Sequence, residues 1–260
     1  MLVDSHAHLD FSQFDRDRAQ VLERAWATGL VAIVNAGADL RSSRAGVELS
    51  QKQARVFASV GFHPHDAKDL TADALAELGS LARSPKVVAI GEIGLDFYRD
   101  LSPRPIQRKA FEAQLALASR LGKPVIVHDR DAHSEVMAIL REWARGVPQS
   151  EKGVLHCFSG NIEMAQEAVE MGFLISIAGP VTYPNSRKLP EIAAALPLKK
   201  LLIETDCPYL TPHPHRGKRN EPAYVTLVAE AVALHRGIPV AEVARATAAN
   251  TARLFGLCLP

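Results

Sequence analysis

A chain of 260 residues, 47% of them hydrophobic, can enclose one large core, and barrels of alternating strands and helices commonly run to about 250 residues as a single domain. Thirty basic residues against 29 acidic ones leave a net charge of +1, which excludes a global pull toward nucleic acid or membrane, so a polyanion must be held by a local patch. The three cysteines, Cys157, Cys207 and Cys258, are odd in number and far apart, which excludes a disulfide framework and suits a reducing cytosol.

The first apolar run carries Val3-Asp4-Ser5-His6-Ala7-His8. Side chains two apart on a strand share a face, so His6 and His8 present two imidazoles side by side. Residues 31–34 form a second β-branched run, and 55–60 a third that ends in Gly61-Phe62-His63-Pro64-His65. Behind Thr71, a suitable N-cap, Leu75, Leu78 and Leu81 recur at helical spacing. The fourth run, 86–90, ends in Gly91-Glu92. Pro103 then opens a long helix whose apolar stripe holds Phe111, Leu115 and Ala118 and which stops at Gly122. Runs 124–127 and 153–155 end in His128 and His156. Ile162, Ala165, Ala168 and Val169 mark a further helix before Gly172. The seventh run spans 173–177, and the eighth, 200–203, ends in Glu204-Thr205-Asp206. Near-continuous apolar strands alternating with helices indicate a parallel sheet covered by helices. Eight such units predict an α/β fold, a (β/α)8 TIM barrel, as one domain over residues 1–260.

His6, His8, His63, Glu92, His128, His156 and Asp206 all fall at the carboxyl ends of predicted strands, the rim on which barrel enzymes build their sites. Imidazoles and carboxylates together suit Zn²⁺, Mn²⁺, Co²⁺ or Mg²⁺. One catalytic zinc takes three protein ligands and a water. The six candidates His6, His8, Glu92, His128, His156 and Asp206 exceed that need, which favours two divalent metal ions sharing a carboxylate. Singly, each has a bland reading: a hydrogen-bonded strand-end histidine, a carboxylate at a helix N-terminus, a cap at Asp206. Their recurrence at equivalent strand ends argues against that.

These stretches, in this order, resemble the TatD family of metal-dependent deoxyribonucleases, a metallo-dependent hydrolase type within the amidohydrolase-like barrels. The matching segments are Asp4-Ser5-His6-Ala7-His8-Leu9, Gly61-Phe62-His63-Pro64-His65, Gly91-Glu92-Ile93-Gly94-Leu95-Asp96 and Pro124-Val125-Ile126-Val127-His128. They continue with His156-Cys157-Phe158-Ser159-Gly160, Glu204-Thr205-Asp206-Cys207-Pro208-Tyr209-Leu210 and Arg216-Gly217-Lys218-Arg219-Asn220-Glu221-Pro222. The resemblance implies one metal among His6, His8, Glu92 and Asp206, with Glu92 bridging to a second held by His128 and His156. It also implies hydrolysis of DNA phosphodiester bonds, often as a 3′-end exonuclease preferring single strands. Related barrels often bridge their metals with a modified lysine after strand four; here that position is Glu92.

For such chemistry Asp206 is expected to orient the attacking water and take its proton, with Glu92 at the metals and His63 at the scissile phosphate or leaving oxygen. The basic segment 212–220 sits beside the expected metals, so Arg216 and Arg219 are candidate phosphate contacts. Tyr98 is a candidate base-stacking platform. His65 is read as exposed, and Cys157 and Cys207 as small buried residues facing away from the site. Trp26 and Trp143 are read as helix residues packed on the barrel. Hydrolysis of another ester or amide, such as an aminoacyl-tRNA ester, is the alternative enzyme reading, and a catalytically silent metal-binding barrel the alternative outside enzymes. No apolar run approaches the ~18–20 residues of a membrane span, and the N-terminus lacks the features of a signal peptide. The expectation is a soluble cytoplasmic monomer with no membrane partner.

Overall fold

Alternation of strand and helix holds along the chain in the computed structural model, which describes residues 1–259. The strands are β1 (Leu2–Ala7), β2 (Leu30–Asn35), β3 (Val56–Val60), β4 (Val87–Asp96), β5 (Val125–Arg130), β6 (Gly153–Leu155), β7 (Phe173–Ile177) and β8 (Leu201–Ile203). They form one parallel sheet in sequential order. The helices are α1 (Arg18–Ala27), α2 (Leu40–Lys52), α3 (Ala72–Leu81), α4 (Arg104–Leu121), α5 (His133–Arg145), α6 (Ile162–Glu170), α7 (Lys188–Ala195), α8 (Val225–Arg236) and α9 (Val240–Phe255). Among the described residues, no helix is long and apolar enough to cross a membrane.

Local chemistry sets these boundaries. The Thr71 side chain accepts the Ala74 N–H and starts α3, and Asn161 does the same for Met164 at the start of α6. Helix α4 ends at Gly122, whose φ of 62° lies in the left-handed region. Strand β4 runs beyond its expected end near Ile90. After a register shift between Ile90 and Ile93 it pairs again with β5, from Ile93–Val127 to Asp96–Arg130. Gly94 permits this approach: a Cβ there would lie 1.9 Å from the His128 backbone oxygen. Glu92 therefore sits inside a paired strand, as do His6 in β1 and His128 in β5.

The sheet closes nearly into a barrel. Between β8 and β1 the ladder shrinks to one bridge, Ala7–Cys207. The seam is completed by His8 N–H to Cys207 O (2.8 Å), Asp206 N–H to His6 O (3.0 Å) and Ser5 Oγ to Ile203 O (3.0 Å). The buried Asp4 carboxylate accepts from the Thr205 N–H (2.9 Å) and hydroxyl (2.5 Å). Two apolar clusters flank the sheet. The larger joins outward-facing strand residues to the surrounding helices. The smaller joins Val3, Val34, Ala89, Ile126, Val154, Leu174 and Leu202 to Leu254, Phe255 and Leu257, with no residue from α1–α8. It fills the barrel interior, and the end of α9 packs against it.

Candidate metal centre at the barrel mouth

Glu92 organises the site, because its two carboxylate oxygens face two groups of histidines. Oε2 lies 3.3 Å from His6 Nε2 and 3.5 Å from His8 Nε2. Those two nitrogens are 3.1 Å apart, and Asp206 Oδ1 is 3.7 and 3.4 Å from them. Oε1 lies 2.8 Å from His128 Nδ1, 2.8 Å from His156 Nε2 and 3.4 Å from His63 Nε2. The side-by-side placement expected of His6 and His8 is thus present, and all seven rim residues converge.

Hydrogen bonds fix which ring nitrogen faces inward. His8 Nδ1 lies 3.0 Å from the Ala36 carbonyl, so it carries the hydrogen and leaves Nε2 as a lone pair. His128 Nε2 faces Asp96 Oδ2 at 3.2 Å, leaving Nδ1 toward Glu92. His63 is opposite in kind: its Nδ1 accepts the His65 backbone N–H at 3.1 Å, so the neutral ring bears its hydrogen on Nε2 and presents a donor. Burial, above all, pushes the His63 pKa down to about 4, which keeps that ring neutral.

A divalent cation fits this donor set. Lone pairs crowded 3.1–3.7 Å apart repel one another without a proton or cation between them. Such spacings match the edges of a coordination shell, about 3 Å for metal–ligand bonds of ~2.0–2.2 Å. Burial alone would raise the Glu92 carboxyl, but His156, His63 and His128 hold it well below the usual carboxylate range. Burial likewise opposes charge on His8 and His156. Asp206 and Glu92 nonetheless lift His8 to about 9, and Glu92 and Glu204 lift His156 well above its ordinary value. A pocket that draws protons onto imidazoles has the negative field that also draws cations.

Backbone strain helps aim two of the candidate ligands. Asp206 has φ of 56° and Cys157, directly after His156, φ of 43°, both left-handed conformations that cost non-glycine residues energy. The turn at Cys157 ends strand alternation, so Cys157 is half-buried instead of facing away in the core, whereas Cys207 is fully buried. Burial pushes both thiols well up, so neither is a thiolate nucleophile.

Three supporting residues escaped the sequence reading. Glu204 Oε1 accepts the Cys157 N–H at 2.6 Å and lies 3.4 Å from His156 Nδ1. Asp96 faces both His128 and His65, the latter at 2.9 Å. His65, read as exposed, is half-buried in that contact. Both acids lie in the motif segments beside chosen ligands, which was the available signal. Arg219 also differs from expectation. Its guanidinium is bidentate to Asp17 (2.8 and 2.6 Å) and donates to Gln13 O (2.6 Å), pinning the β8 loop to the start of α1. Arg216 and Tyr98 are exposed on the rim.

The model of the TatD related DNase family matches residues 3–256. The chain belongs to the TatD family. Relatives at 40–44% identity cover 98–99% of the chain. YabD of Bacillus subtilis, called an uncharacterized metal-dependent hydrolase, is 44% identical over 255 residues, 98% of this chain and 99% of that protein. TatD of Citrobacter rodentium, named a 3′-5′ ssDNA/RNA exonuclease, is 40% identical over 265 residues, 99% of each. The crystal structure of the TatD homolog YjjV of Escherichia coli superposes with a TM-score of 0.93 at 32% identity, covering 99% of this chain and 98% of that one. The protein is thus a TatD-family metal-dependent hydrolase acting on ester bonds, with a nearly closed (β/α)8 barrel.

Proposed function

We propose that this TatD-family hydrolase is a deoxyribonuclease that removes nucleotides from the 3′ end of single-stranded DNA. The observation carrying the reading is the division of Glu92: one oxygen faces His6, His8 and Asp206, the other His128, His156 and His63. The exonuclease name of the Citrobacter relative supports the substrate class. We assign His6, His8, Glu92 and Asp206 as ligands of one divalent cation and Glu92, His128 and His156 as ligands of a second, with Zn²⁺, Mn²⁺, Mg²⁺ or Co²⁺ all suited to the donors. Such ions, when bound, make water acidic enough to attack at neutral pH and neutralise charge on phosphate oxygens.

The chain's own groups do the rest. Asp206, held ionised by His8, His6 and His156 against the effect of burial, takes the proton of the attacking water at Oδ2. Glu92 fixes the spacing of the two donor groups. His63 Nε2–H donates to the scissile phosphate or to the departing 3′ oxygen. Arg216 contacts the phosphate backbone and Tyr98 stacks on a base.

Cleavage of 3′- and 5′-labelled single-stranded DNA tests this, comparing metal-stripped protein with protein reloaded with Mg²⁺, Mn²⁺ or Zn²⁺. Metal-dependent ladders shortening from the 3′ end are expected, with a loss of at least ~10²-fold in Asp206→Ala. Intact DNA under every metal, with turnover of aminoacyl esters, would replace this reading with the ester alternative.

A further inference from the structure

Two tyrosine–arginine stacks stand on the same rim as the donor cluster. Arg130, the last residue of β5, lies over the Tyr98 ring with its guanidinium carbon 3.9 Å from the centroid. Arg216, in the segment after β8, lies over the Tyr183 ring at 4.2 Å. Tyr183 follows β7, so the stacks occupy the β4–β5 and β7–β8 arcs, with the end of β6 and its His156 between them. Tyr98 is 61% exposed, the largest aromatic exposure among the described residues. Neither arginine is in an ion pair among the described residues, whereas Arg24 and Arg219 nearby are each locked to a carboxylate.

We infer that the two stacks are nucleotide subsites for one single strand lying across the mouth, an inference that rests on the nuclease reading above. A guanidinium held over a tyrosine ring and committed to no carboxylate has N–H groups to offer phosphate oxygens. Tyr98 is exposed and Tyr183 half-buried with its hydroxyl donating to Thr211 O, and a base can lie on either ring because every base has a π face. Repetition of the device on two arcs would hold a strand at two points and draw the intervening phosphodiester over Glu92 and Asp206. The first subsite is tied to the centre by one carboxylate. Asp96 Oδ1 accepts the N–H groups of Tyr98 (3.0 Å) and Arg99 (2.7 Å), and Oδ2 faces His128. That connection sets a fixed distance from the Tyr98 platform to the reacting bond.

The test is an abasic scan. Phosphorothioate oligodeoxynucleotides, each with one abasic nucleotide at a successive position, are titrated against the metal-loaded protein by fluorescence anisotropy. The same series with ordinary linkages is assayed for cleavage. Affinity of the wild type should fall about tenfold at two separate positions and little elsewhere. Tyr98→Ala should weaken binding of the intact strand about tenfold and be indifferent to the first abasic position, and Tyr183→Ala to the second. Tyr183→Phe, which keeps the ring, should bind as the wild type does. Arg130→Ala and Arg216→Ala should each reduce the salt slope by about one ion. A flat scan, or tyrosine variants that lose equal affinity for intact and abasic strands, would overturn the subsites. Cleavage with a flat scan overturns the subsites alone, binding with the expected pattern but no cleavage overturns the nuclease reading alone, and absence of binding overturns both.

Discussion

Glu204 and Arg219 each take their role from a partner distant in the sequence. Glu204 holds the turn that carries His156 and stands 3.4 Å from its outer ring nitrogen. Replacing it with Gln keeps the shape and removes the charge that sustains the ring's basicity. Glu204→Gln should therefore weaken divalent-cation binding by about 10–100-fold, measured by chelator competition, with folding intact. Arg219 faces Asp17, so Arg219→Ala should lower stability by about 1 kcal/mol and leave the KM for oligonucleotides unchanged. The pH dependence has a definite sign. Hydrogen bonding to Arg219 depresses the Asp17 pKa, so this stabilisation is present above the unfolded value of about 3.9 and is lost as pH falls through the lower folded one. Wild type and variant melting curves should converge in that acid range. A basic loop reads the same in sequence whether it meets a phosphate or an aspartate 202 positions away, which is why Arg219 was misplaced.

Strands and helices were legible wherever one period governed the segment. Thr71, Pro103 and Gly122 punctuate their helices as their backbone chemistry requires. The continuation of β4 was not legible, because it depends on re-pairing with β5 after a register shift and on the clearance at Gly94. The candidate ligands were legible because each sits within or just after a strand, where an apolar run gives way to His, Glu or Asp. Their supports Asp96 and Glu204 were not, since their partners lie 32 and 48 residues away. The duty of α9 was equally hidden: an amphipathic stripe marks the face a helix buries, not the surface it is buried against. The structure sets Phe255, 5% exposed, against the barrel interior. Phe255→Ala should cost about 3–5 kcal/mol in denaturant unfolding and leave the activity of the surviving folded molecules near that of the wild type.

Across the molecule, folding and cation binding are one linked equilibrium. Buried carboxylates and imidazoles from β1, β4, β5 and the segments after β3, β6 and β8 meet only in the folded barrel, so the unfolded chain offers no comparable site. A divalent ion at about 100 times its Kd should stabilise the protein by about 2.7 kcal/mol, read as a rise in Tm that EDTA reverses. Protons compete for the same imidazoles, so the rise should shrink as pH falls from 8 to 5. The seam between β8 and β1 carries a further consequence. Among these groups His6 and His8 emerge first during synthesis, whereas Asp206 and the Asp4–Thr205 clasp that joins the ends of the sheet arrive only when nearly four-fifths of the chain is made. A ribosome-bound or prematurely terminated polypeptide lacks the assembled centre, so hydrolytic power switches on only when the ring is shut.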